Sequence, residues 1–301
     1  MTMAPRRGFA LLAVLWVIAG LSAIALGLTL AARQAVAAAH NRNDLTRAQW
    51  RAEECAEQAR ALIADSLAKG EWSGLDRVVE RAGVRGSDCR VTLRAAGSRL
   101  DINRADSSMI AALLARLRIR RPRRDSVIAA ILDWRDADDI TRPLGAERDW
   151  YVSQGLIGPR NGPLADVREL RGVRGLAELP VLSSLVDVEP GPVALNSAPL
   201  DVIAALPGFG DEALSRLAEL RSRGLRVNDL ISFSALLSPG ARDLLLSHYA
   251  DLVGLTAVDP AAWILTSSAT VGSPPVTEVL ELRVVRGGQR AAIVRRRTWI
   301  E

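Results

Sequence analysis

Lysine is almost missing from this 301-residue sequence: Lys69 is the only one, and every other basic side chain is arginine. Sequence-independent nucleic-acid binding draws on clustered cations that release counterions. Here the arginines are spread among 34 acidic residues, so the formal net charge of +5 describes a solvated surface and not a phosphate-binding face. Cysteine is scarce too. Cys55 and Cys89 stand alone, and no CxxC or Cys/His spacing builds a zinc site. The two histidines, His40 and His248, have no nucleophile beside them in sequence, and neither a phosphate loop nor a nucleophile elbow occurs. Aromatic side chains make up only 4% of the chain and form no sugar-binding platform beside its acidic residues. These absences point away from an enzyme. What is plentiful is apolar: 49% hydrophobic residues support a sizeable core, in one large or two modest domains.

The longest apolar run lies near the start. Residues 9–32 carry no charged side chain, and as a helix they would extend ~36 Å, enough to cross a bilayer core of ~30 Å. Arg6 and Arg7 precede the run and Arg33 follows it. The stronger cationic flank therefore stays cytoplasmic and the bulk of the chain lies outside. A secretory signal has a shorter apolar core, and the helical spacing here continues past the run through Ala35, Ala38, Ala39, Leu45, Ala48, Ala52, Cys55, Ala59, Leu62 and Ile63. One helix over about residues 9–68 is expected, apolar all round in its first half and amphipathic in its second.

Beyond it, Val91 and Leu93 alternate with polar residues, Ala96-Gly97-Ser98 reads as a turn, and Leu100–Ile102 reads as a returning strand. Three further strands are expected over 263–271, 276–286 and 290–300, separated by Gly/Pro turns. The expected fold class is α+β: a long N-terminal helix packed on an antiparallel sheet, with everything between the early and late strands inserted as a large all-α domain. That insertion repeats itself. DINRADSSMIAALL (101–114) aligns with ALNSAPLDVIAALP (194–207), and in each copy an asparagine, Asn103 or Asn196, precedes a short helix where it can cap or turn the backbone.

The second copy runs on into LPGFGDEALSRLAELRSRG, which resembles a helix-hairpin-helix (SAM-like) element, and residues 163–179 resemble a weaker one. Such hairpins hold DNA phosphates on exposed backbone N–H groups. Asp211 and Glu212 follow the second hairpin directly and would repel a phosphate. Protein contact is therefore the favoured use, with no nucleic acid, and a membrane-tethered DNA-uptake module is the alternative. Residues 132–151, LDWRDADDITRPLGAERDWY, crowd Asp133, Asp136, Asp138 and Asp139 together, with Glu147 after a Pro-containing turn. Hard oxygen ligands so close repel one another unless neutralised, which suits calcium, although the spacing is not that of an EF-hand. Arg135, Arg142 and Arg148 are rival neutralisers.

RRGFALLAVLWVIAGLSAIAL resembles a type IV pilin-like leader, and residues 132–151 resemble the signature of general secretion pathway protein K, a family of type II secretion minor pseudopilins. The likeness extends over essentially the whole chain. It implies cleavage by a prepilin peptidase between Gly8 and Phe9, methylation of the new amine, a single-pass inner-membrane anchor and a periplasmic body. It implies calcium in the acidic region and, as partners, the minor pseudopilins I and J and the other pseudopilins. It divides the chain into a leader (1–8), a membrane helix (9–32), the first part of a pseudopilin core (33–103), the inserted domain (104–256) and C-terminal core strands (257–301). Most pilin-like subunits carry Glu at the fifth mature position, where Ala13 stands here. A carboxylate within hydrocarbon needs a partner, and a subunit with nothing above it needs no such carboxylate, so Ala13 points to the filament tip. Cys55 and Cys89 would then lie in an oxidising compartment, and whether they bridge the helix to the sheet is left open.

Overall fold

The computed structural model describes residues 7–69, 75, 78–79, 89–188, 190–287 and 290–300. A single helix, α1 (Arg7–Ala68), runs for 62 residues. Gly8 and Phe9 fall in its first turn, and their side chains lie outside the described set. From Leu11 to Asn43 every side chain is exposed, including Trp16 at 73%. The best 18-residue window in this helix has a mean hydropathy of 2.5 and no buried residue, which fits a single-pass anchor. From Ala48 onward the character changes. Ala48, Ala52, Ala56, Ala59, Ile63 and Leu67 form one buried stripe at helical spacing. The alanines let the helix lie close against a sheet.

That sheet is antiparallel with strand order β1-β6-β7-β8: β1 (Cys89–Ala95), β6 (Ala262–Val271), β7 (Val276–Gly287) and β8 (Arg290–Ile300). Leu93, Trp263, Leu265, Ala269, Leu280, Leu282 and Val284 face α1 and close the core. The alternation seen in β7 places Leu280, Leu282 and Val284 there together. Leu100–Ile102 does not return along β1. β2 (Leu100–Asp101) pairs in parallel with β3 (Val186–Asp187) instead. A two-residue strand carries no alternation that could tell these partners apart.

Cys55 of α1 and Cys89, the first residue of β1, are joined as a disulfide with their Cα atoms 6.7 Å apart. The bridge closes a 34-residue interval, a loop for which the chain-entropy relation gives about 3–4 kcal/mol. The Cys55→Ser/Cys89→Ser double variant should lose stability of that order in denaturant titration. Unreduced protein extracted in detergent should show no free thiol in an alkylation assay, and two reactive thiols would contradict the bridge.

The remaining lobe leaves the sheet and returns to it beside its point of departure, where the Ala96 N–H donates to the Ala262 carbonyl at 2.8 Å. It therefore begins with β2 and ends with β5 (Thr256–Ala257), slightly wider than 104–256. It is helical apart from two short parallel strand pairs, β2 with β3 and β4 (Val193–Ala194) with β5. Two equivalent modules build it. In the first, Asn103 Nδ2 donates to the carbonyls of Leu164 (3.0 Å) and Val188 (3.3 Å), and its Oδ1 accepts from Leu164 N (2.9 Å). In the second, Asn196 Nδ2 donates to the Val227 carbonyl and its Oδ1 accepts from Val227 N, both at 2.9 Å. Each asparagine loop is also clamped by an arginine from a later helix. Arg135 donates to the carbonyls of Ile102 and Ala105, and Arg221 to those of Leu195 and Ala198. Ile102 and Leu195, and likewise Ala105 and Ala198, are equivalent positions in the sequence repeat. Both modules share one apolar core.

Candidate functional site

The modules differ where chemistry is to be found. Residues 222–226 are all that separate the Arg221 clamp from the Val227 latch, whereas residues 136–163 lie between Arg135 and Leu164. This extra segment holds five of the six acidic residues of the 132–151 stretch. Helix α3 (Arg123–Arg135; α2 is Ser107–Arg116) carries Asp133 in its last turn and ends on Asp136 as its C-cap. Positions three apart share a helix face, so both carboxylates point the same way. The chain then turns back, and Glu147 N-caps α4 (Arg148–Ser153), arriving against them. One carboxylate oxygen from each of Asp133, Asp136 and Glu147 lies within 4.8 Å of the others.

Asp133 is fully buried and Glu147 is 2% exposed. Arg142 bridges the two aspartates: its Nη1 donates to Asp133 Oδ1 at 2.7 Å and to Asp136 Oδ2. Its backbone N–H donates to Asp133 Oδ2 at 3.3 Å. Hydrogen bonds to Asp133 and then Asp136 hold the Arg142 guanidinium above its ordinary pKa. Glu147 has no such help. Both its oxygens and Asp136 Oδ1 are buried without a hydrogen-bond partner. Burial first, and then the neighbouring aspartates led by Asp133, push the Glu147 carboxyl up to about 7. A native structure rarely leaves buried acceptors orphaned unless something else meets them. Three orphaned oxygens on two carboxylates, in a cluster of three acids within 4.8 Å of one another, fit a hard divalent cation.

The site is tightly walled. A side chain at Gly145 would overlap the Asp133 carboxylate, so the loop can pass only as glycine. Behind it, buried Tyr151 meets Trp134 and Trp150 edge-on at 5.1 and 4.9 Å, and its hydroxyl accepts from Arg174 N at 3.0 Å. Arg174 stacks over Trp150 at 4.7 Å and donates to the Gly145 carbonyl. Nothing local in the sequence marked Arg174 as part of this wall. Asp138 and Asp139, candidates by proximity in sequence, stay outside. Both are exposed; Asp138 accepts from Ile140 N, and Asp139 accepts from Asn161 Nδ2 at 2.9 Å. Of the three rival arginines only Arg142 enters the site. Arg135 clamps the Asn103 loop, and Arg148 stands 3.9 Å from Asp139 at the surface.

The hairpin glycines face protein. A side chain on Gly208 would meet the Leu244 carbonyl and Leu245 Cα, each at 3.2 Å, because the turn packs on the helix Pro239–Ser247. Glu212, just past it, accepts from both N–H and hydroxyl of Ser238.

Residues 91–183 match the family described as Type II secretion system (T2SS), protein K. That stretch holds most of β1, Asn103 and Leu164 of the first latch, and the whole acidic site. No curated protein matches the chain significantly. Among solved structures, the chain is similar to one in the crystal structure of the GspK-GspI-GspJ complex from the enterotoxigenic Escherichia coli Type 2 Secretion System. The TM-score is 0.63 at 21% identity, covering 87% of this chain and 99% of the other. The family match thus rests on residues 91–183, which carry the acidic module, and the long helix packed on an antiparallel sheet is the fold that the chain shares with the structure from that complex.

Proposed function

We propose that the chain is a non-catalytic minor pseudopilin at the tip of the type II secretion pseudopilus, helping to start its assembly and so supporting export of folded proteins across the outer membrane. The observation that carries this reading is where the lobe sits. The turn between β6 and β7 touches α1 at Asp44, since a side chain on Gly272 would overlap the Asp44 carboxylate. That is the end of the sheet next to the exposed, membrane-length half of α1. The lobe joins at Ala96 and Ala262, at the opposite end of β6, about 30 Å away at ~3.3 Å per residue. The chain therefore enters and leaves the lobe at the membrane-distal end of the sheet, and the lobe also lies along the face away from α1, where Arg94 pairs with Asp187 and Arg168 stacks over Trp299 at 5.2 Å. Repeated at every level of a filament, a lobe of this bulk at the end and along the side of the sheet would collide with neighbouring subunits, and in a single terminal copy it would not.

Ala13 supports the same position, as does the GspK-GspI-GspJ complex in which the similar structure stands. The natural partners of this chain are then the I and J pseudopilins of its own system, bound below it. The packed Gly208 turn and the engaged Glu212 favour protein contact over nucleic acid. Asp133, Asp136 and Glu147 would hold a calcium ion, which supplies the positive charge that lets three crowded carboxylates, two of them buried, stay ionised together.

The test is assembly. Full-length chain co-expressed with I and J and extracted in detergent should elute with one copy of each, and antibody labelling should mark only filament ends. Labelling along the filament shaft would defeat the tip position. Processing is tested separately: mass spectrometry of the extracted protein should find Phe9 as a methylated N-terminus. An uncut Met1, or cleavage near Ala32, would refute processing as a pilin-like protein.

A further inference from the structure

We propose that Arg142 remains in the acidic site when a cation binds and sets its preference for a divalent ion, an inference that rests on the cation reading of that site. The guanidinium already uses one side of the pocket, bridging Asp133 Oδ1 and Asp136 Oδ2. The oxygens left over are on other atoms: Asp136 Oδ1 and both oxygens of Glu147, all buried and unpartnered. An ion can therefore gain three oxygen ligands, one from Asp136 and two from Glu147, without breaking a hydrogen bond that now exists. Expelling Arg142 would instead cost both of its side-chain bonds and strip the fully buried Asp133 of its charged partner.

The charge count agrees. Three ionised carboxylates against one guanidinium leave a formal −2, which a divalent ion cancels. With Arg142 gone from the pocket, the same ion would leave an uncompensated negative charge in a buried place, an expensive arrangement. The backbone adds a second tie, because Arg142 N donates to Asp133 Oδ2. The arginine is thus held at its own main chain as well as at its tip. Its side chain is 41% exposed, so a route to solvent exists, and staying is decided by energy and not by steric enclosure. Arg142 is a specificity-determining residue: it lowers the pocket's charge to the value that a divalent ion matches and a trivalent ion exceeds.

Terbium and calcium separate these cases. Trp134, next to Asp133 in sequence, and Tyr151 behind the pocket would sensitise terbium emission, and calcium would compete it away. In full-length protein in detergent, wild type and Arg142→Gln are titrated with both ions. If Arg142 stays, its removal adds attraction in proportion to ionic charge. Terbium then gains more than calcium, and the terbium-to-calcium affinity ratio rises by about tenfold. Arg142→Lys, which keeps the charge but not the fork, should hold the ratio near that of wild type and shows that charge is the cause. An unchanged ratio in Arg142→Gln would mean the guanidinium leaves on loading, overturning the inference while the cation site stands. Absence of saturable binding of either ion by the wild type would remove the cation reading, and this inference with it.

Discussion

Asn103→Ala should destabilise the lobe by about 3 kcal/mol, because it strands backbone groups that nothing nearby can take over. The lost side chain satisfies the N–H and C=O of Leu164 and the C=O of Val188, at residues whose side chains are buried. Asn196→Ala removes the equivalent pair at Val227 and a bond to Asp259 Oδ1; Asp259 keeps Arg226, so one fewer carbonyl is orphaned and the cost should be about 2 kcal/mol. Aspartate does not rescue either site: it keeps the acceptor, loses the donor and adds a charge. The two variants also differ in reach. Leu164 closes the segment that carries Glu147, so Asn103→Ala should loosen the acidic site as well. Asn196→Ala should leave the acidic site alone. Hydrogen exchange over 133–164 and over 193–227, read in both variants, checks the division. Equal protection in both variants and wild type would show that the asparagines decorate the loops without holding them.

That pair of asparagines was visible in the sequence because a residue that bonds its own fold's backbone at both ends has no ready substitute, so it persists in both copies. The arginine clamps were not visible. Arg135 and Arg221 act at a distance in sequence, and the longer first module offsets them from the spacing that aligns the asparagines. The long helix was legible from its uninterrupted apolar run, and the sheet from the alternation in β7. The placing of Leu100–Ile102 was not, since two residues pair as readily in parallel as in antiparallel. In the acidic stretch the sequence presents four aspartates as equals. Helical phase separates them: Asp133 and Asp136 share a face at the end of α3, while Asp138 and Asp139 fall beyond it and meet solvent. The distinction follows from where α3 stops, and the run of aspartates itself does not show that point.

Glu147→Gln should reverse the order of stability depending on calcium. In the metal-free chain the wild-type carboxyl sits at about 7, above its ordinary value, because burial and the flanking aspartates disfavour its charge. A group whose folded pKa is raised stabilises the fold while protonated and loses that contribution as pH climbs through the folded value. Wild-type stability without metal should therefore fall between about pH 5 and pH 8. Glu147→Gln, neutral throughout, should be flat in that window and the more stable of the two at pH 8. Calcium inverts this. It binds the ionised carboxylate, so its benefit to the wild type should grow with pH, reaching roughly 2.7 kcal/mol at a hundredfold excess over its dissociation constant. Magnesium should give less, because it demands a smaller, more regular oxygen shell and holds its waters. Asp136→Asn combined with Glu147→Gln should abolish the calcium gain while the metal-free fold survives. The measurement is thermal melting of the full chain in detergent at pH 5.5 and pH 8, with chelator and with millimolar calcium. Wild-type and Glu147→Gln curves that shift in parallel under all four conditions would leave the three carboxylates as a structural cluster balanced by Arg142, with no ion to bind.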